Sequence, residues 1–266
     1  QPESSGAVGR PHVRQKKMIR VTLLGLTLGH LGFFAHADLP ASKHSPVERV
    51  EQLGGRAFLK KGKVSEIILI DMDVPSGFFS QLGDLSELTD LSLENCGIHA
   101  EDVIPISTLP KLEWINLYRT PLGEQGVNLL SKSKSIALLP IGKAGVTDLG
   151  LEYLCKMGQL TYLGLRGNPV TDKGARHLSK LSKLEGLYLG ETKVTDRTIA
   201  EIAHLSRLQK LWLHDLPITD AAIEHLSKLK RLKEIHIYAT NISARGAQSL
   251  QKSLPKCRVI HEIFPQ

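Results

Sequence analysis

The stretch Leu184-Glu-Gly-Leu187-Tyr-Leu189-Gly-Glu-Thr-Lys-Val194-Thr-Asp196 decides the fold of this 266-residue chain. Its first, fourth, sixth and eleventh places are aliphatic. The same spelling returns at Leu208-Gln-Lys-Leu211-Trp-Leu213 and at Leu232-Lys-Glu-Ile235-His-Ile237, 24 residues apart each time. Working outward, frames of this length also open at Val64, Leu88, Leu112, Ile136 and Leu160, which makes eight. In every frame the four key places hold Val, Leu or Ile. A fixed period of this size means a solenoid, in which each unit buries its apolar side against its neighbours.

Strand alternation explains the pattern. The fourth and sixth residues point together into the core, and the eleventh turns inward after a bend. The nineteenth residue, from Leu82 to Leu250, anchors a helix on the outer side. Thr147-Asp148, Thr171-Asp172, Thr195-Asp196 and Thr219-Asp220 stand where helices begin, with oxygens suited to the free N–H groups and the positive dipole end. Each unit therefore reads as strand, bend and helix, and the chain as α/β. The ninth place varies among Cys96, Thr120, Ala144, Asn168, Thr192, Leu216 and Thr240. Asn, Cys or Thr can bond the bend there; Ala144 and Leu216 cannot. Ser107-Thr-Leu-Pro110 and residues 131–135 interrupt the helical pattern, so weaker or 3₁₀-like helices are expected in the first half. Residues 38–63 read as an N-terminal cap, with a helix at 47–53 and a strand at 56–60. After eight repeats over 64–255, an extra residue before Pro255 marks a slip into a C-terminal cap at 256–266.

From Val64 to about Val259 the chain resembles the leucine-rich repeat family. The rhythm seen at Val170-Thr-Asp and Ile218-Thr-Asp is similar to the 24-residue, cysteine-containing-like subtype of F-box-type proteins and of secreted bacterial, planctomycete-type proteins. The resemblance implies a horseshoe with a parallel concave sheet, convex helices and protein recognition by the concave face. It implies no enzyme and no cofactor. No F-box-like module precedes the repeats.

Residues 1–37 read as a signal peptide with an upstream extension. Basic residues precede an uncharged apolar run at 21–34, and Ala35-His36-Ala37 follows it, placing cleavage after Ala37. The run is short for a spanning helix and holds three glycines and His30, so no stable membrane span is expected after cleavage; a retained anchor is the alternative. The expected location is secreted, periplasmic or in the cell envelope. Residues 1–37 also carry five basic side chains and one acid. Removing them lowers the net charge from +7 to +3, too balanced for a nucleic-acid binder. Cys96, Cys155 and Cys257 are odd in number and lie repeats apart, so they read as free, buried residues.

Sequence signals for catalysis are poor. No Gly-rich phosphate loop, His-Glu-x-x-His or Gly-x-Ser-x-Gly is present, and the recurring Ser-x-x-Lys lies on repeat helices. His214, His236 and His261 fall on successive strands without regular ligand spacing, so no metal site is assigned. The outward third, fifth and seventh places carry the binding signal. They hold Trp114, Tyr118, Tyr162, Tyr188, Trp212 and Tyr238, six of the seven Trp and Tyr in the chain. His214 and His236 extend the cluster, and Arg166 lies beside it. Such rings make interface hot spots, or stack across strands for stability. A protein or peptide partner is expected on this face, with carbohydrate as the alternative ligand. Arg119, Lys143 and Arg166 form a basic centre that could hold an acidic loop or a sugar, or simply be solvated, while Glu66, Asp71, Asp90 and Glu94 gather near the start.

Overall fold

A computed structural model describes residues 45–82 and 85–262. The expected signal peptide and its cleavage point lie outside the described residues.

The repeat unit opens on a helix at Pro46–Gln52. Ser45 and Glu48 form a reciprocal cap: Glu48 N–H donates to Ser45 Oγ at 3.3 Å, and Ser45 N–H donates to Glu48 Oε2 at 2.7 Å. The helix stops at Gly54, whose φ of +91° suits glycine. Strand β1 (Arg56–Lys60) then turns at Lys61 and Gly62 and runs antiparallel to β2 (Lys63–Ile70). This hairpin covers the edge that β2 would otherwise present.

Beyond β2 the strands are parallel. They are β3 (Asp90–Glu94), β4 (Trp114–Asn116), β5 (Leu138–Pro140), β6 (Tyr162–Gly164), β7 (Gly186–Tyr188) and β8 (Lys210–Trp212). A two-strand side ladder joins β9 (Leu216–Thr219) and β11 (Thr240–Asn241), and the main sheet continues through β10 (Glu234–His236) to β12 (Arg258–Ile260). Register follows the period: Leu139 pairs with Leu163, Leu163 with Leu187, Leu187 with Leu211 and Leu211 with Ile235. Ile235 pairs with Val259 at the same 24-residue offset. The expected slip near Pro255 is therefore absent from the sheet. The ladder pins β12 in register, and Cys257, 3 % exposed, is buried beside it.

All sixteen residues at the fourth and sixth places of the eight frames are 0–1 % exposed. They form one continuous apolar column between the sheet and the helices. The helices at Gly123–Leu130, Asp148–Leu154, Asp196–Ile202 and Ala244–Ser253 close its other side through Leu130, Leu154, Ile202 and Leu250. The 3₁₀ turns are not confined to the first half. They occur at Ala100–Asp102 but also at Arg176–Lys180 and Asp220–Ala222, while Gly123–Leu130 is fully α-helical. The stacked core fixes each helix's place, and local breakers set only its length.

Three polar ladders tie repeat to repeat. Thr147, Thr171, Thr195 and Thr219 each cap the following helix. Their neighbouring aspartates reach forward to the next repeat. Asp148 accepts from Thr171 N–H and O–H, both at 2.7 Å; Asp172 serves Thr195 and Thr198, Asp196 serves Thr219, and Asp220 serves Ser243. The ninth place supplies the second ladder. Asn168 accepts from Ala144 N–H at 3.1 Å and Val146 N–H at 3.0 Å, and donates to the Ile141 and Leu165 carbonyls at 2.8 and 3.0 Å. Thr120 accepts from Cys96 N–H and donates to the Leu93 carbonyl.

The third ladder lies at the eighth place. Asp71, Asn95, Arg119, Lys143, Gly167, Glu191, Asp215 and Ala239 all have φ between +51° and +65°. From Asp71 to Asp215 each donates its N–H to the carbonyl of the seventh residue of the next repeat, at 2.7–3.3 Å. The left-handed kink turns the chain out of the strand while keeping the ladder closed.

Candidate binding face

The third, fifth and seventh places line the sheet face turned away from the helices. From β6 to β10 they build a continuous ring array. Tyr188, Trp212 and His236 occupy the fifth place of successive strands and stack, with centroids 5.3 and 5.7 Å apart and planes 18° and 23° apart. His214 and Tyr238, at the seventh place, stack at 4.7 Å and 5°. The two rows meet edge to face: Tyr188 with His214 at 74°, and His236 with Tyr238 at 74°. Tyr162 meets Trp212 edge-on at 6.2 Å. These are the favourable geometries for aromatic pairs.

Exposure divides the candidate residues. Trp114, Tyr118, Arg166, Tyr188, Trp212, His236 and Tyr238 are half-buried. Tyr162 is 6 % exposed and His214 only 2 %. These two form the floor of the array and support the others. Glycines let the floor lie low. A Cβ on Gly186 would stand 2.7 Å from the Tyr162 ring, and one on Gly190 would stand 2.7 Å from His214 Nε2. Trp114 and Tyr118 belong to the β4 repeat, two strands before Tyr162.

Hydrogen bonds fix the array. Asp215 Oδ2 lies 2.6 Å from His214 Nδ1, and His214 Nε2 lies 2.6 Å from the Tyr188 hydroxyl. With the Asp215 carboxylate accepting from Nδ1–H, Nε2 accepts the Tyr188 proton. Burial lowers the His214 pKa, although its bond to Asp215 opposes this. Burial pushes the Tyr188 phenol up to about 12, the reverse of an activated nucleophile. The chain of hydrogen bonds fixes the orientation of the two rings. His236 Nε2 lies 2.8 Å from Glu234 Oε1, and His261 Nε2 lies 3.2 Å from the Ile242 carbonyl, so the three histidines have separate partners.

Glu191, His214 and Asp215 bring three ligand-type atoms within 4.8 Å of one another. Two cations already span the Glu191 carboxylate: Arg166 Nε donates at 2.5 Å, and Lys143 Nζ lies 3.3 Å away. Burial alone would raise the Glu191 pKa, but Arg166 and Lys143 hold it below the usual carboxylate value. The donor set is committed to this pairing, so we assign no metal. Glu191, Asp215 and Glu234 were not among the residues singled out from sequence. Aligning the eighth column would have exposed the first two, since it is polar in six of eight repeats.

No protein-family model and no curated protein sequence matches this chain. Solved structures do. An internalin C2 of Listeria monocytogenes superposes with a TM-score of 0.61 and 22% identity, covering 84% of this chain and 93% of the other. An internalin of the F type from the same organism gives 0.57 and 23%, covering 72% and 52%. The fold is a leucine-rich repeat solenoid. In leucine-rich repeat terms, the parallel strands with their outward rings form one wall and the capped helices the other. Among the described residues no helix is long and apolar enough to cross a membrane.

Proposed function

We propose that this chain is a non-enzymatic binding scaffold that acts outside the cytoplasm. Its concave sheet face holds a protein or peptide partner through Tyr188, Trp212, His236 and Tyr238, on the supports Tyr162 and His214. Trp114, Tyr118 and Arg166 extend the contact. The ring array carries the reading: it is fixed by stacking and hydrogen bonds before any partner arrives, which lowers the ordering cost of binding. Half-buried Trp and Tyr are the residue types that dominate interfaces. The similarity to internalin structures fits a repeat scaffold of this kind. The apolar segment before Ala37 motivates the extracytoplasmic location.

A carbohydrate or structural envelope role is the alternative. The ring geometry favours protein, because Trp212, the largest ring of the stack, has its two faces against Tyr188 and His236. Sugar stacking needs an open ring face.

Affinity capture from the organism's own envelope fraction tests the reading. Wild-type chain should retain a protein, and a Tyr188→Ala/Trp212→Ala double variant should not, with both chains unfolding cooperatively. Equal recovery by both, or recovery of glycan alone, would overturn it.

A further inference from the structure

The aromatic rows use only the later repeats of the face. Arg119 and Lys143, the eighth residues of two earlier repeats, are exposed and held at φ of 58° and 51°. The same place in the next repeat is Gly167, at φ of 65°. Glycine thus meets the turn's needs, and the long basic side chains are not required by the fold. Arg119 lies 5.4 Å from the Tyr118 ring centroid, and Arg166 lies 6.0 Å from that of Tyr188.

The group already shows its ligand preference internally. Glu191 sits between Arg166 and Lys143 as a bridging carboxylate. The surrounding charges set a size limit. Asp71 and Glu94 stand on the same rim toward the first strands, and Asp215 stands beyond Glu191. A long polyanion would run into acids at both ends, whereas a short acidic segment fits between them.

We propose that the Arg119, Lys143 and Arg166 rim seats carboxylate side chains of a partner protein whose neighbouring apolar residue lies on Tyr188 and Trp212. This rests on the protein-binding reading above and adds the partner's chemistry. The repeats of Lys143 and Trp212 are three strands apart, or about 14 Å at the usual strand spacing. An extended segment covers that span in about four residues. The partner segment therefore presents an acidic pair and an apolar residue, for which Trp serves as the probe, roughly four positions apart.

Two short synthetic peptides test this. One carries Asp-Glu and a Trp at that spacing; the other carries Lys-Lys in place of Asp-Glu. Binding is read by fluorescence anisotropy of the labelled peptides against wild type, R119G/K143G, E191Q and W212A. The acidic peptide should bind, and the lysine peptide should be weaker by about tenfold or more. R119G/K143G should fold normally and lose about tenfold for the acidic peptide, as should wild type when salt rises from roughly 0.05 to 0.5 M. E191Q, which releases Arg166 and Lys143, should tighten it by about threefold. Equal affinity for both peptides, unchanged binding by R119G/K143G, or no binding of the acidic peptide up to about 1 mM would overturn the inference. Loss in W212A without loss in R119G/K143G leaves the aromatic contact standing and ends the charge assignment. The opposite pattern ends the aromatic contact instead.

Discussion

Asn168 is 1 % exposed and satisfies two N–H groups and two carbonyls across neighbouring repeats. Removing its amide strands several buried polar groups at once. Asn168→Ala should lower unfolding free energy by about 3 kcal/mol in urea titration. The eighth place should answer in the other direction. Arg119 and Lys143 occupy left-handed backbone that disfavours a Cβ, so Arg119→Gly or Lys143→Gly should stabilise by about 1 kcal/mol each. A loss of stability would contradict the view that these side chains serve something other than folding. His214 gives a pH signature. Its folded pKa lies below its unfolded value, so the unfolded state takes up the proton first as pH falls. Stability should be complete above pH about 6.5 and decline below it. His214→Gln should flatten that decline, as read by thermal unfolding across the range.

The outward-reaching aspartates couple one strand–bend–helix unit to the next. Burial alone would raise the Asp172 pKa, but the bonds it accepts from Thr198 and Thr195 outweigh burial and lower it. A carboxylate lowered in the folded state contributes stability above its unfolded pKa and loses it as pH falls through the folded value. Stability should therefore fall again in the acid range, from pH about 4 downward. Asp172→Asn should remove part of this second step, and Asp172→Ala should cost about 1.5 kcal/mol at neutral pH. Sequence showed that Thr-Asp pairs begin helices. It did not show the reach to the next repeat, because that partner lies 23 residues on and only stacking brings it near. The aliphatic columns were legible because every core place admits the same narrow class of side chain. The left-handed eighth place was hidden, since seven of its eight residues are not glycine and the ladder imposes the conformation. The candidate rings were legible by column. The burial of Tyr162 was not, because it depends on Gly186 in the adjacent strand.

Across the repeat unit, His44–Gln266, stability is distributed along a stack and closed at its ends by β1 and β12. Solenoids depend on such ends. Removing residues 254–266 would uncover β10 and the apolar column at Ile235 and Ile237. The truncated chain should melt several degrees lower and self-associate through the exposed edge, visible by light scattering. A fully monomeric product of unchanged melting temperature would show that β12 is dispensable. The same register makes the molecule a ruler. Each 24-residue frame adds one graduation, so a duplicated copy of 160–183 lengthens the scale by about 4.8 Å. Such an insertion alters no existing neighbour inside either half. It would separate Lys143 from Trp212 by one further graduation, so a partner read by distance would be lost while the instrument itself stayed intact.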